Sequence, residues 1–128
     1  MTRVEKVKAN WSNGKPYNCA QSVIVAFSEE CNLSEELAAR IGTNLGWGMH
    51  MGSTCGAING ALIALGGMGY GKDETLHLLQ TIREKHGCTD CAGLIRQARE
   101  QGTTRQRHCA KMIFECVSLV EDIIREKI

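Results

Sequence analysis

Seven cysteines in a 128-residue chain are the residues through which this sequence could do chemistry. A thiolate ligates soft metals, attacks disulfides and is the form that is oxidised. Four of the seven share a local context. Asn18-Cys19-Ala20, Thr54-Cys55-Gly56, Asp90-Cys91-Ala92 and His108-Cys109-Ala110 each place a small residue directly after the thiol. In the first three, a residue that caps helices well comes just before. These three thiols therefore fall in first turns, where free amides and the helix dipole favour an anion. Small neighbours leave room for a cluster or a partner backbone.

Cys31, Cys88 and Cys116 lack this context, being followed by Asn, Thr and Val. Cys31 and Cys116 lie on apolar stripes, where cysteine commonly serves as a small buried hydrophobe. Cys88-Thr89-Asp90-Cys91 is a C-x-x-C, but the βαβ setting of a thioredoxin motif is missing, and no His follows Cys91 as haem attachment requires. A thiol–disulfide chemistry drawing on Cys55, Cys88 and Cys91 stays open beside a metal site, as does a non-catalytic helical interaction module whose cysteines are packing residues. His108, next to Cys109, is the histidine to consider as ligand or base; His50, His77 and His86 read as loop or surface residues.

An odd number of cysteines leaves at least one unpaired within the chain, and a chain of this length can build a core without disulfide staples. The start, Met1-Thr2-Arg3-Val4-Glu5-Lys6, lacks the apolar stretch of a secretory signal. A cytoplasmic protein with free or metal-bound thiols is expected. The formal charge of +1, with acids and bases interspersed, argues against a nucleic-acid partner. Arg96, Arg99, Arg105, Arg107 and Lys111 make a locally basic stretch, read as a solvated face in preference to a docking surface. From Thr43 to Gly71 there is no Asp, Glu, Lys or Arg. The longest clean apolar run there is only Ala61 to Leu65, far short of the roughly 20 residues of a membrane span.

The elements that must position these thiols are helices. Apolar residues recur at helical spacing almost throughout, and no alternating strand pattern appears. Asn18 opens a helix expected to reach Cys31, with Ala20, Val23, Ile24 and Phe27 on its stripe. Asn32 or Ser34 starts a short helix through Leu37, Ala38 and Ile41. Gly42 to Gly52 reads as a loop. Ser53 or Thr54 caps a helix to about Gly66, and the glycines from Gly66 to Gly71 end it. Asp73 begins a helix with Leu76, Leu79 and Ile82 inward, closed by Gly87. Asp90 starts another, with Cys91, Leu94, Ile95 and Ala98 on one face. Thr103 and Gln106 form a capping box for the last helix, striped by Cys109, Met112, Ile113, Cys116, Val120, Ile123 and Ile124. The expected architecture is all-α, one compact domain over residues 1–128, built as a bundle of about six or seven helices.

Gly52, Gly56 and Gly60 stand four apart, giving a groove free of side chains. Gly56 and Gly60 either let helices pack closely or let a cofactor approach. Gly67-Met68-Gly69-Tyr70-Gly71 imitates the end of a dinucleotide fingerprint, but no strand precedes it.

Asn18-Cys19-Ala20-Gln21-Ser22-Val23, Cys55-Gly56-Ala57-Ile58-Asn59-Gly60, Cys91 before Leu94, and Cys109 in the last helix together resemble the C_GCAxxG_C_C family, to which a redox role is ascribed. The resemblance spans nearly the whole chain and assigns the family's four cysteines to Cys19, Cys55, Cys91 and Cys109. It implies redox function, with an iron–sulfur cluster as the expected cofactor; such centres take four cysteine sulfurs. A protein that carries electrons is expected to meet a redox partner protein. The four donors are far apart in sequence, so they must converge through folding or across a homodimer. Relatives with export signals or haem are similar only in part, since this chain shows neither a twin-arginine signal nor a haem-attachment motif.

Overall fold

The computed structural model describes residues 2–126. Helix α1 covers Arg3–Ser12, α2 Cys19–Ala26, α3 Glu35–Ile41, α4 Gly56–Gly67, α5 Lys72–His86, α6 Cys91–Glu100 and α7 Arg105–Glu126. A further wide turn at Gly48–Gly52 brings the helical segments to eight among the described residues, where six or seven were expected. The addition falls in the stretch expected to be a loop. No strand occurs among the described residues; a single antiparallel bridge pairs Thr54 with Asp90.

Helix α2 starts where its sequence requires. Asn18 Oδ1 accepts from the Gln21 amide, and Gln21 Oε1 accepts from the Asn18 amide, both at 2.8 Å. The helix stops at Ala26 and does not reach Cys31. The β-branched run Val23-Ile24-Val25 is a poor helix former, and the chain then tightens. Phe27 and Ser28 bond three residues back, to Ile24 and Val25, and Asn32 takes a φ of 59°.

The centre of the molecule is the contact between α2 and α4. From Ser22 to Ala26 every α2 residue is buried, and Ala57, Ile58, Ala61, Ala64 and Leu65 of α4 are wholly so. Gly60 permits this closeness: a Cβ there would lie 2.8 Å from the Ala20 carbonyl oxygen. Helix α7 lays Met112, Ile113, Cys116, Val117, Val120 and Ile123 across the pair. Leu76, expected inward, is in fact exposed, and so are Leu37 and Ile41. In α5 the buried positions are Leu78 and Ile82; in α3 only Ala38 is buried, because these short amphipathic helices cover the core with a narrow stripe. Among the described residues no helix is long and apolar enough to cross a membrane.

Candidate functional site: four thiols at one cavity

The bridge between Thr54 and Asp90 fixes two of the thiols. The Cys55 amide donates to the Thr89 carbonyl at 2.9 Å, and the Cys91 amide donates to the Ser53 carbonyl at 2.6 Å. In such an antiparallel pair, Ser53, Cys55, Thr89 and Cys91 project to one face. Cys55 and Cys91 thus stand as diagonal neighbours, for which the usual spacing is roughly 7–8 Å. The bridge also moves the start of α4. Ser53 and Thr54 were expected to cap it, but their backbone is engaged with the segment before α6, and Cys55 itself is the N-cap. Cys91 is the first residue of α6 and Cys19 the first of α2.

Cys109 arrives from the opposite side, in the second turn of α7. Its helix starts one residue later than the expected Thr103 box: Thr104 Oγ1 accepts from the Arg107 amide at 3.3 Å, and the Thr104 carbonyl from the His108 amide at 3.0 Å. Cys19, Cys55, Cys91 and Cys109 all line one cavity of about 370 Å³. Its walls are largely apolar and include Trp11, Tyr17, Trp47, Leu94 and Met112, with Arg105 and His108 as the basic members.

Glycines back the thiols. A Cβ on Gly56 would meet Cys19 Cβ at 3.2 Å, and one on Gly48 would meet Cys91 Cβ at 2.8 Å. Gly56 lines the cavity; Gly60 does not, being packed on Ala20 and Val23.

The electrostatics of the four thiols differ. The S–H of Cys19 donates to the Cys109 sulfur, which lowers the Cys109 pKa to about 7 against the opposing effect of burial, with Arg105 assisting. The same hydrogen bond, followed by burial, drives the Cys19 pKa far up. Burial lifts Cys55 to about 11, although the amides of Ile58 and Ala57 pull it down. Cys91 is raised by burial and by Cys109, with Arg105 in opposition. Burial lowers the pKa of His108, as do the nearby His86 and Lys111.

Trp47 was not singled out by sequence, and Arg105 was read only as part of a solvated basic face, whereas it lines the cavity. The guanidinium of Arg105 sits 3.6 Å from the centroid of the Trp47 ring. Arg105 lies one helical turn before Cys109, a spacing that puts both on one face and could have marked it. Trp47 carried no such signal. It belongs to a left-handed run in which Trp47, Gly48, Met49 and His50 have φ between 60° and 62°. Non-glycine residues adopt this at a cost of roughly 1–2 kcal/mol each. The Arg105 stack and the close seating of Gly48 on Ser53 and Cys91 hold the run in place.

The other cysteines lie elsewhere. The Cys31 S–H donates to the Ala64 carbonyl at 3.4 Å, and Cys116 is fully buried on the core side of α7. Cys88 packs on Gly93 and receives a long contact from Gln97 Nε2 at 3.6 Å; it is not part of the cavity wall. His50 and His77 are exposed. His86 is half-buried, its Nε2 2.8 Å from a Glu115 carboxylate oxygen.

In number and chemistry the four thiols suit an iron–sulfur cluster, which takes four cysteine sulfurs. They stand around a cavity and do not converge on a point: among the described residues no three His, Cys, Asp or Glu side chains are placed to hold one metal ion.

A family model described as "Putative redox-active protein (C_GCAxxG_C_C)" matches residues 17–123, a span that takes in all seven cysteines. No curated protein and no solved structure matches the chain. With a match over most of its length, the chain belongs to the C_GCAxxG_C_C family.

Proposed function

We propose that this protein transfers electrons through an iron–sulfur cluster ligated by Cys19, Cys55, Cys91 and Cys109. The observation that carries the reading is the meeting of four thiols, from the starts of α2, α4 and α6 and from α7, at one cavity with largely apolar walls. Membership of a family with a redox description supports the class of chemistry. Bound there, a cluster would supply a one-electron redox couple whose potential depends on charge, hydrogen bonds to sulfur and exposure. The chain's own residues do the rest. The amides of Ala57 and Ile58 favour negative charge on Cys55, and Arg105 does so for Cys91 and Cys109. Gly56 keeps the wall beside Cys19 free of a side chain, while Gly60 contributes by seating α4 against α2. Trp11, Tyr17 and Trp47 contribute aromatic surface to the cavity wall.

A redox partner protein completes such a function, and the cytosol, where thiols stay reduced, is the compartment proposed. The test is anaerobic reconstitution with iron and sulfide, followed by metal and sulfide analysis and electron paramagnetic resonance. Stoichiometric iron and sulfide that vanish in Cys55→Ser and Cys91→Ser support the cluster. Failure of the reduced, folded wild type to take up iron removes it.

The gathering of reduced thiols at one cavity also supports a second reading, a metal-free thiol–disulfide protein. It differs from the C-x-x-C version in its residues, since Cys88 stands apart from the cavity.

A further inference from the structure

The turn at Gly48–Gly52 and the residue before it leave large apolar side chains outside the fold. Trp47 is 46% exposed, Met49 41% and Met51 76%. Three such residues within five positions make a patch, and exposed apolar patches mark interaction surfaces. The backbone beneath them is strained, with Trp47, Met49 and His50 at positive φ. Strain of this kind persists only where the surroundings enforce it, and it clusters at functional sites. Here it gains no burial, since none of the three side chains joins the core. Trp47 belongs both to the patch and to the wall of the thiol cavity, so the patch lies at the cavity's mouth.

Bases border this patch. Arg105 stacks on Trp47. A Cβ on Gly52 would meet the Cβ of Ala92 at 3.1 Å, so the segment rests on the start of α6. Arg96 and Arg99 follow Ala92 by four and seven residues, a spacing that puts them on its face of the helix. Both are exposed, and among the described residues none of the three arginines forms an ion pair. Acids are scarce around them: residues 43–71 contain none and residues 91–111 only Glu100, in a chain whose formal charge is +1. Arg107 and Lys111 fall on the far side of α7 from Arg105 and fit the solvated face expected of them.

We infer that Trp47, Met49 and Met51, edged by Arg96, Arg99 and Arg105, form the docking surface for an acidic electron-carrier protein. This deepens the redox reading above and rests on it for the class of partner. An apolar centre within a polar rim is the anatomy of a protein interface. Methionine side chains adapt to the shape that meets them. Unpaired arginines draw in an acidic partner and fix its orientation. A partner seated here covers the mouth of the cavity, over the four thiols.

The experiment uses the full-length, reduced, metal-free protein, with an acidic plant-type ferredoxin as the probe at low ionic strength. Nuclear magnetic resonance of the isotope-labelled chain maps the contact, and titration calorimetry gives the affinity. The expected result is a set of amide shifts confined to residues 47–52 and the starts of α6 and α7, with binding that weakens steeply as salt is added. Joint Arg96→Glu and Arg99→Glu changes weaken binding by about tenfold, and Met51→Ser weakens it further. Lys72→Glu, beyond the end of α4 remote from Cys55, leaves binding unchanged. Circular dichroism checks each variant, and the wild-type map decides the location even where a variant fails to fold. Absence of binding at low ionic strength, shifts centred elsewhere, or an equal loss in Lys72→Glu overturns the inference. So does tighter binding to phosphatidylserine vesicles or to an oligonucleotide than to the ferredoxin. The two readings fail separately. Docking is scored on protein never exposed to iron, so failed reconstitution removes the cluster and leaves the docking result standing, while a loaded protein that binds no acidic carrier keeps the cluster and loses this surface.

Discussion

Cys55 and Cys91 each donate their backbone amide to the residue two before the other's position or its equivalent: Cys55 to Thr89, Cys91 to Ser53. The two helix starts that carry them are thereby tied side by side, so neither thiol can drift without breaking a backbone hydrogen bond. A missing sulfur at this pair, or at Cys19 or Cys109, leaves a scaffold that still folds. On the proposed cluster, single Cys→Ser changes at these four positions abolish bound iron while leaving the far-ultraviolet circular dichroism spectrum unchanged. Cys116→Ala does the opposite, retaining iron and losing about 1–2 kcal/mol of stability from an unfilled core position. Iron retained by all four Ser variants would sink the ligand assignment.

The approach of α4 to α2 predicts a contrast between two glycines of the same helix. Gly60→Ala forces a methyl to within 2.8 Å of the Ala20 carbonyl oxygen, and overpacking of that kind costs about 1–3 kcal/mol. Gly66→Ala meets nothing within 4 Å and gains about 0.5–1 kcal/mol from reduced backbone freedom. Urea unfolding of the two variants measures both, and equal midpoints would show that the α2–α4 spacing is not set by Gly60.

Thiol ionisation gives a pH dependence in the reduced, metal-free protein. Alkylation of Cys109 by iodoacetamide rises through about pH 7, whereas Cys55 stays slow until about 11. Stability follows the same shifts with opposite signs. The folded chain holds protons on Cys19, Cys55 and Cys91 that an unfolded chain gives up near an ordinary thiol's 9.0. Their contribution is therefore intact below pH 9 and is lost as the pH rises beyond it. Cys109, with its pKa lowered, works the other way between about 7 and 9.0. The urea midpoint is expected to fall between pH 9 and 10.5, and a midpoint that climbs over that range would contradict the burial of the three thiols.

Arg105 links the left-handed run to the thiols. Arg105→Gln removes the charge beside Cys91 and Cys109 and the stack on Trp47, a contact worth about 0.5–1 kcal/mol. The alkylation midpoint of Cys109 should move upward and the fluorescence of Trp47 should shift. Arg105→Lys should keep most of the first effect and lose part of the second. If Gln and wild type alkylate identically, Arg105 does not act on the thiols.

Most of the helices were legible because their signals are local. Asn18 with Gln21, Asp90 before Cys91 and Gly87 in its left-handed conformation need only neighbours in sequence to declare a start or an end. The convergence of the four thiols is not local. Their shared context marked Cys19, Cys55, Cys91 and Cys109 as a group, but nothing in the spacing reveals that the segment before α4 pairs with the segment before α6. That pairing is what displaced the cap from Ser53 or Thr54 to Cys55. The left-handed run from Trp47 to His50 was equally hidden, since Trp, Met and His do not favour positive φ; tertiary contacts at Arg105 and Cys91 impose it.

The order of the donors along the chain carries a consequence for synthesis. Cys19, Cys55 and Cys91 leave the ribosome before Cys109, and the wall that faces them belongs to α7. A nascent chain that ends at α6 therefore shows three thiols on an open surface, together with the apolar faces of α2 and α4 that α7 later covers. Cofactor capture or oxidation at that stage would act on a half-built pocket and trap a chain prone to aggregate. On the proposed cluster, loading is therefore expected to follow completion of α7, so that factors delivering iron meet the finished fold.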